Sequence, residues 1–144
     1  MPLLTDQPLD LGALVTEVSG PGRGGIASFL GLVRNHHEGR AVIRLEYSAY
    51  GTMAEAEAAV IVAEAEERWP VRVAARHRLG VLDVGQVAVA VAAAGAHRAE
   101  AFDACRYVIE EAKRRLPVWK REIQADGATV WRDNDGGRVP GGRP

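Results

Sequence analysis

Apolar positions along the chain alternate between helical and strand periodicity. Leu11, Leu14, Val15 and Val18 recur at helical spacing behind Asp10, which predicts a short capped helix over 11–18. Ile26 to Val33 is a dense apolar run and predicts a buried strand with Phe29 as its largest side chain. Ala41 to Tyr47 predicts a second strand. Thr52, followed by Glu55, reads as a capping box and predicts a helix from Met53 to about Trp69, stopped by Pro70. Ala56, Val60, Ala63 and Glu67 share one of its faces. Val71, Val73, Ala75 and His77 alternate with Arg72, Ala74, Arg76 and Arg78, which predicts a strand with His77 as a core or interface histidine.

The second half continues this alternation. Leu79-Gly80 and Asp83-Val84-Gly85 are turns around a short extended piece. Gln86 to Ala94 is a strand whose valines alternate with alanines, so one face is bulky and the other admits close packing. Ala99 to Leu116 is an amphipathic helix with Ala101, Phe102, Cys105, Val108, Ile109, Ala112 and Leu116 on its apolar face. Pro117 ends it. Val118 to Ala125 and Ala128 to Arg132 form a hairpin around Asp126-Gly127, read as a type I′ turn. Residues 1–8 read as a loose arm, 9–132 as one domain, and 133–144 as disordered, being Gly, Pro, Arg and Asp.

Composition narrows the function. A net charge of −1 argues against bulk nucleic-acid or anionic-membrane binding, so any anion site is local. RNA binding through the arginines would require a steep salt dependence. A single cysteine, Cys105, excludes an internal disulfide and fits a reducing, cytoplasmic setting. Its place on the apolar helix face makes it a structural thiol. No signal peptide or membrane span is legible. The glycine-rich Ser19 to Gly25 stretch lacks a P-loop ending and reads as a connector. His36-His37-Glu38 lacks a third ligand at a recognisable spacing and reads as a solvated loop rather than a metal site.

One imbalance remains. Of 18 basic residues only Lys113 and Lys120 are lysines, seven positions apart around the helix end at Pro117. Arginine cannot replace lysine where an amine must release a proton or attack a carbonyl. Helix phase sets Phe102, Arg106 and Lys113 on one stripe, with Lys113 bordering the apolar face, a position that lowers an amine pKa. Strand phase sets Lys120 and Glu122 on one side. Arg34 ends a strand, and His97-Arg98 lead into a helix N-terminus, where N–H groups favour an anion. Arginines and a histidine for a dianion, with two amines beside it, suit a small enzyme acting on a phosphorylated metabolite.

The same blocks resemble the MoaE family, the large catalytic subunits of molybdopterin synthase. They are Gly25 through His36, Leu45 through Tyr50 with Met53, Arg68-Trp69-Pro70, His77 through Gly80, Ala96-His97-Arg98 with Ala101-Phe102, and Lys113 with Pro117 through Glu122. They come in the family's order over roughly residues 9–125. The resemblance implies a single α+β domain with an α/β-hammerhead-type fold, short antiparallel sheets packed with two longer helices. It implies that cyclic pyranopterin monophosphate (precursor Z) receives two sulfurs from the thiocarboxylated C-terminal Gly-Gly of a small ubiquitin-like carrier. No cofactor is then expected, because the carrier supplies the sulfur. The implied assembly is a homodimer of large subunits within a heterotetramer. Leu32, Val33, Arg34, His97, Arg98, Lys113, Lys120, Arg121 and Glu122 are the expected substrate-pocket residues, with Lys113 and Lys120 catalytic. His97, Arg98 and Arg34 would hold the phosphate, one of them from across the dimer. A non-catalytic anion-binding module of the same fold is the alternative.

Overall fold

The computed structural model describes residues 2–139. Its elements are β1 (Leu4–Thr5), α1 (Leu11–Val18), β2 (Gly25–Leu32), β3 (His36–His37), β4 (Arg40–Ala49), α2 (Gly51–Arg68), β5 (Val71–Arg78), β6 (Gly80–Asp83), β7 (Val87–Gly95), α3 (Arg98–Arg115), β8 (Val118–Gln124) and β9 (Thr129–Asp133). One sheet has the order β1-β5-β7-β2. The other runs β3-β4-β8-β9, with β6 also paired to β4. The result is a mixed α/β domain of three helices and two sheets among the described residues, as the α+β reading anticipates.

The valine–alanine alternation of β7 decides how the helices pack. Its alanine face, Ala90, Ala92 and Ala94, is covered by Leu14 and Val18 of α1. Small residues let that short helix approach closely. The opposite face, Val89, Val91 and Ala93, joins Ile61 and Ala65 of α2 and Cys105, Val108 and Ile109 of α3 in the main core. Strand side chains alternate between faces, so one strand serves two cores. On α2 the buried stripe is Ala54, Ala58, Ile61 and Ala65, which leaves Val60 exposed.

Several expectations are corrected. The N-terminal arm is tied down: Leu3 is buried, Leu4–Thr5 pair in parallel with His77–Arg78, and both Leu3 and Leu4 N–H groups donate to the Glu55 carboxylate at 2.8 Å. That explains the second correction, the absent capping box. Glu55 is engaged by the arm, and α2 begins at Gly51 behind Tyr50 with no side-chain cap. Third, β2 is an edge strand, and Ile26, Phe29, Leu30 and Leu32 are exposed, at 40%, 39%, 39% and 54%. Phe102, assigned to the apolar face of α3, is also exposed.

The fourth correction concerns the hairpin. Gly127 N–H donates to Gln124 O, Gln124 N–H to Ala128 O, and Gly127 alone has positive φ. This is a three-residue loop, a type I turn closed by a glycine bulge, rather than a two-residue type I′ turn. The difference shifts register by one residue, and in a sheet that reverses which side chains share a face. Glu122 lies opposite Val130, and Lys120 opposite Arg132. Beyond β9 the chain is also ordered as far as Val139. Asn134 is buried, its Nδ2 donates to Ala112 O at 2.9 Å, and Gly137 N–H donates to the Asp133 carboxylate. The expected disorder of 140–144 lies outside the described residues.

Candidate active site

The site is built on the row Tyr47–Lys120–Arg132 across β4, β8 and β9. Leu45, Glu122 and Val130 form the next row on the same face. Lys113, near the end of α3, meets this face from the side. A cavity of about 320 Å³ results, lined among others by Leu32, Arg34, Tyr47, Lys113, Lys120 and Glu122. Asn134, Asp135 and Gly136, from the segment after β9, close it. The chain's two lysines, on different elements, therefore face one cavity.

Its electrostatics suit amine chemistry. Burial, then the positive charge of Lys113, pushes the Lys120 ammonium down to about 8, against a weaker upward pull from Glu122. Lys113 is also held below the ordinary lysine range, by burial first, with Asp135 opposing and Arg34 adding. Burial thus lowers both amines, Lys120 to about 8, which suits proton transfer. Below them His77 is buried, and burial lowers its pKa to about 4, so it adds no charge. Its Nδ1 lies 2.9 Å from Arg78 O, and its ring packs edge-on against Tyr47 with centroids 5.0 Å apart.

Glu122 is fixed from two sides. Its Oε2 accepts from His37 Nδ1 at 2.5 Å and from Arg132 Nε at 2.9 Å. Burial alone would raise the carboxyl pKa, but the His37 and Arg132 hydrogen bonds outweigh it, and Glu122 stays below the usual carboxylate range. Arg132 reaches on to Glu38, the one non-glycine residue with positive φ among the described residues. His37 and Glu38 thus brace the site, while His36 and Glu38 remain exposed to solvent. Among the described residues no three His, Cys, Asp or Glu side chains gather as a metal set.

A larger cleft lies beside the lysine cavity. About 630 Å³ in volume and mostly apolar, it runs between β2 and α3 past Phe29, Phe102 and Cys105. It shares Lys113 and Asp135 with the lysine cavity, so the two meet there. Cys105 is buried and free, with burial raising its thiol to about 11, in keeping with a structural thiol. The apolar cleft holds only one of the two lysines, so the chemistry is assigned to the smaller cavity, which holds both.

Comparison with known proteins gives the family. The family model described as "MoaE protein" matches residues 4–115. The chain belongs to the MoaE family. It is 46% identical over 126 residues to molybdopterin synthase catalytic subunit 1 of Mycobacterium tuberculosis, covering 87% of this chain and 86% of that one. The structure resembles molybdopterin synthase from Staphylococcus aureus with a TM-score of 0.87 at 32% identity, over 91% of this chain and 96% of that one. A Helicobacter pylori chain, from a protein–protein complex of subunits 1 and 2 of molybdopterin-converting factor, shares the fold at TM-score 0.74 and 21% identity, over 89% and 87% of the two chains.

Not every residue picked out by the MoaE resemblance lies in this chain's cavity. Leu32, Arg34, Lys113, Lys120 and Glu122 line it. Val33 is buried beneath, its N–H and C=O bonded to Gln86 and Gly85. Arg121 points to the opposite face of β8, paired with Glu46 at 3.2 Å and stacked over Trp131. His97 and Arg98 sit at the N-terminus of α3, sixteen and fifteen residues before Lys113, about 22 Å or more along the helix. Sequence reasoning missed His37, Tyr47, Arg132 and Asn134 as parts of the site. The correct hairpin register would have shown Arg132 beside Lys120. Asn134 left no local signal, since its contact with Ala112 is tertiary.

Among the described residues no helix is long and apolar enough to cross a membrane.

Proposed function

We propose that this chain is the sulfur-transferring large subunit of a molybdopterin synthase, converting precursor Z to molybdopterin with sulfur from the thiocarboxylated tail of a small carrier subunit. The observation that carries the reading is the meeting of Lys113 and Lys120 in one cavity, both with depressed pKa. Arg34 supplies a permanent charge for the substrate phosphate, and the amines serve as general acid and base and as oxyanion partners. The apolar cleft that opens at Lys113 gives an extended Gly-Gly tail a path to the lysines. The complex described for the H. pylori relative supports a two-subunit assembly here.

The exposed apolar edge of β2 supports a homodimer as well. Gly25, at one end of β2, packs against the backbone of His97 and Arg98, while Leu32 and Arg34 mark the other end. Antiparallel apposition of two β2 edges about a twofold axis would bring the partner copy's helix N-terminus beside this chain's Arg34. The phosphate site would then be completed across the dimer.

The test combines the full chain, a thiocarboxylated carrier and precursor Z, with dithiolene product as the readout. Lys120→Arg is expected to fold and bind carrier but to lose most turnover. Near-normal conversion by that variant would remove the catalytic role of Lys120, and no product from the wild-type chain would favour the anion-binding module.

A further inference from the structure

Tyr47 is an unassigned member of the cavity. It stands directly across the strands from Lys120, whose Nζ lies 5.9 Å from the centre of its ring. Its side chain is buried and lines the lysine cavity. A buried tyrosine ordinarily hands its O–H to a protein partner. Tyr107 does so, donating to Glu64 at 2.8 Å. The Tyr47 hydroxyl makes no side-chain hydrogen bond among the described residues, and it is not one of the polar atoms sealed from solvent. Among the described residues no side-chain or backbone group is hydrogen-bonded to it. Burial meanwhile raises its pKa to about 12, so it remains a neutral donor wherever the lysines titrate.

We propose that Tyr47 is a catalytic residue whose O–H donates to the acyl oxygen of the carrier tail while the tail's carbonyl carbon is under attack beside Lys120. The proposal rests on the sulfur-transfer reading above. In the release step, water adds to the acyl carbon of the thioester joining carrier and substrate. The acyl carbon–sulfur bond then breaks, and the electron pair stays on sulfur, which remains on the substrate. The carrier leaves as a carboxylate. One proton of the water ends on the sulfur and the other is released from the carboxyl. Negative charge builds on the acyl oxygen as water adds, and a fixed neutral donor in a desolvated pocket stabilises it. The division of labour follows from charge: Lys120 exchanges protons, while Tyr47 holds the oxygen and keeps its own.

Tyr47→Phe is the direct test, since it keeps the ring beneath Lys120 and against His77 and removes only the hydroxyl. With thiocarboxylated carrier and precursor Z, kcat should fall about 100-fold, the range for losing one oxyanion donor. KM for both substrates should stay within about threefold, and a carrier–substrate thioester should accumulate in the mass spectrum. A kcat within about threefold of wild type, a loss confined to KM, or no accumulated thioester overturns the proposal. So does a large fall in melting midpoint, because it would mean the hydroxyl has a structural partner. Failure of the wild-type chain to form product removes the sulfur-transfer reading together with this one. Equal turnover by wild type and Tyr47→Phe removes this one alone.

Discussion

Replacing Lys120 by methionine should make the protein more stable while ending its activity. The methionine keeps an unbranched apolar stem of similar length and removes the charge. In the folded chain the Lys120 pKa lies near 8 against an ordinary 10.5, through burial and then repulsion from Lys113. Holding the ammonium in that pocket at neutral pH therefore costs about 3 kcal/mol. For a chain of this size that corresponds to a rise of about 10 °C in melting midpoint at pH 7. The folded pKa is depressed, so between the two values the unfolded chain binds more protons and wild-type stability rises with pH. The advantage of Lys120→Met should be fully present below pH 8 and fade as pH rises toward 10.5. Urea titrations of both proteins across pH 6.5–10.5 measure it. Lys120→Arg, which keeps the charge, serves as control and should gain nothing. If Lys120→Met is no more stable at pH 7, or if its gain does not change with pH, the pocket does not depress Lys120 and the catalytic argument loses its electrostatic basis.

Two further outcomes are expected. Arg132→Leu leaves the Glu122 carboxylate buried with His37 as its remaining partner, and should cost about 3 kcal/mol in urea denaturation; a loss under about 1 kcal/mol would mean the pair is not buried as described. Leu30→Glu, on the exposed edge of β2, should leave the melting midpoint within a few degrees yet abolish self-association in sedimentation experiments; an unchanged dimer would place the interface elsewhere.

Periodicity in the sequence locates nearly every helix and long strand, because each buries one defined face. It does not say what covers that face. The apolar run Ile26 to Val33 reads as a buried strand, but β2 lies at a sheet edge, where only another molecule can cover it. Thr52 and Glu55 have capping-box spacing, yet Glu55 binds two backbone N–H groups about fifty residues away. The scarcity of lysine singled out Lys113 and Lys120, and the fold brings both to one cavity. The clamp on Glu122 was not legible, since it joins a loop, a strand and the far arm of a hairpin. There a single extra loop residue reverses the face of every side chain. Arg121 was misplaced for a related reason: it lies between Lys120 and Glu122 in sequence, and a strand must turn it the other way.

The ordered segment after β9 bears on how the protein can be handled. Asn134 is anchored to α3, and Asp135 and Gly136 form part of the cavity wall. A fusion spliced at Asp133 would therefore deform the pocket rather than trail from it, and one at Leu3 would pull a buried residue out of the core. The exposed turn at Ala125-Asp126-Gly127 belongs to neither cavity and is the better point for inserting a label, a fluorophore or a guest peptide.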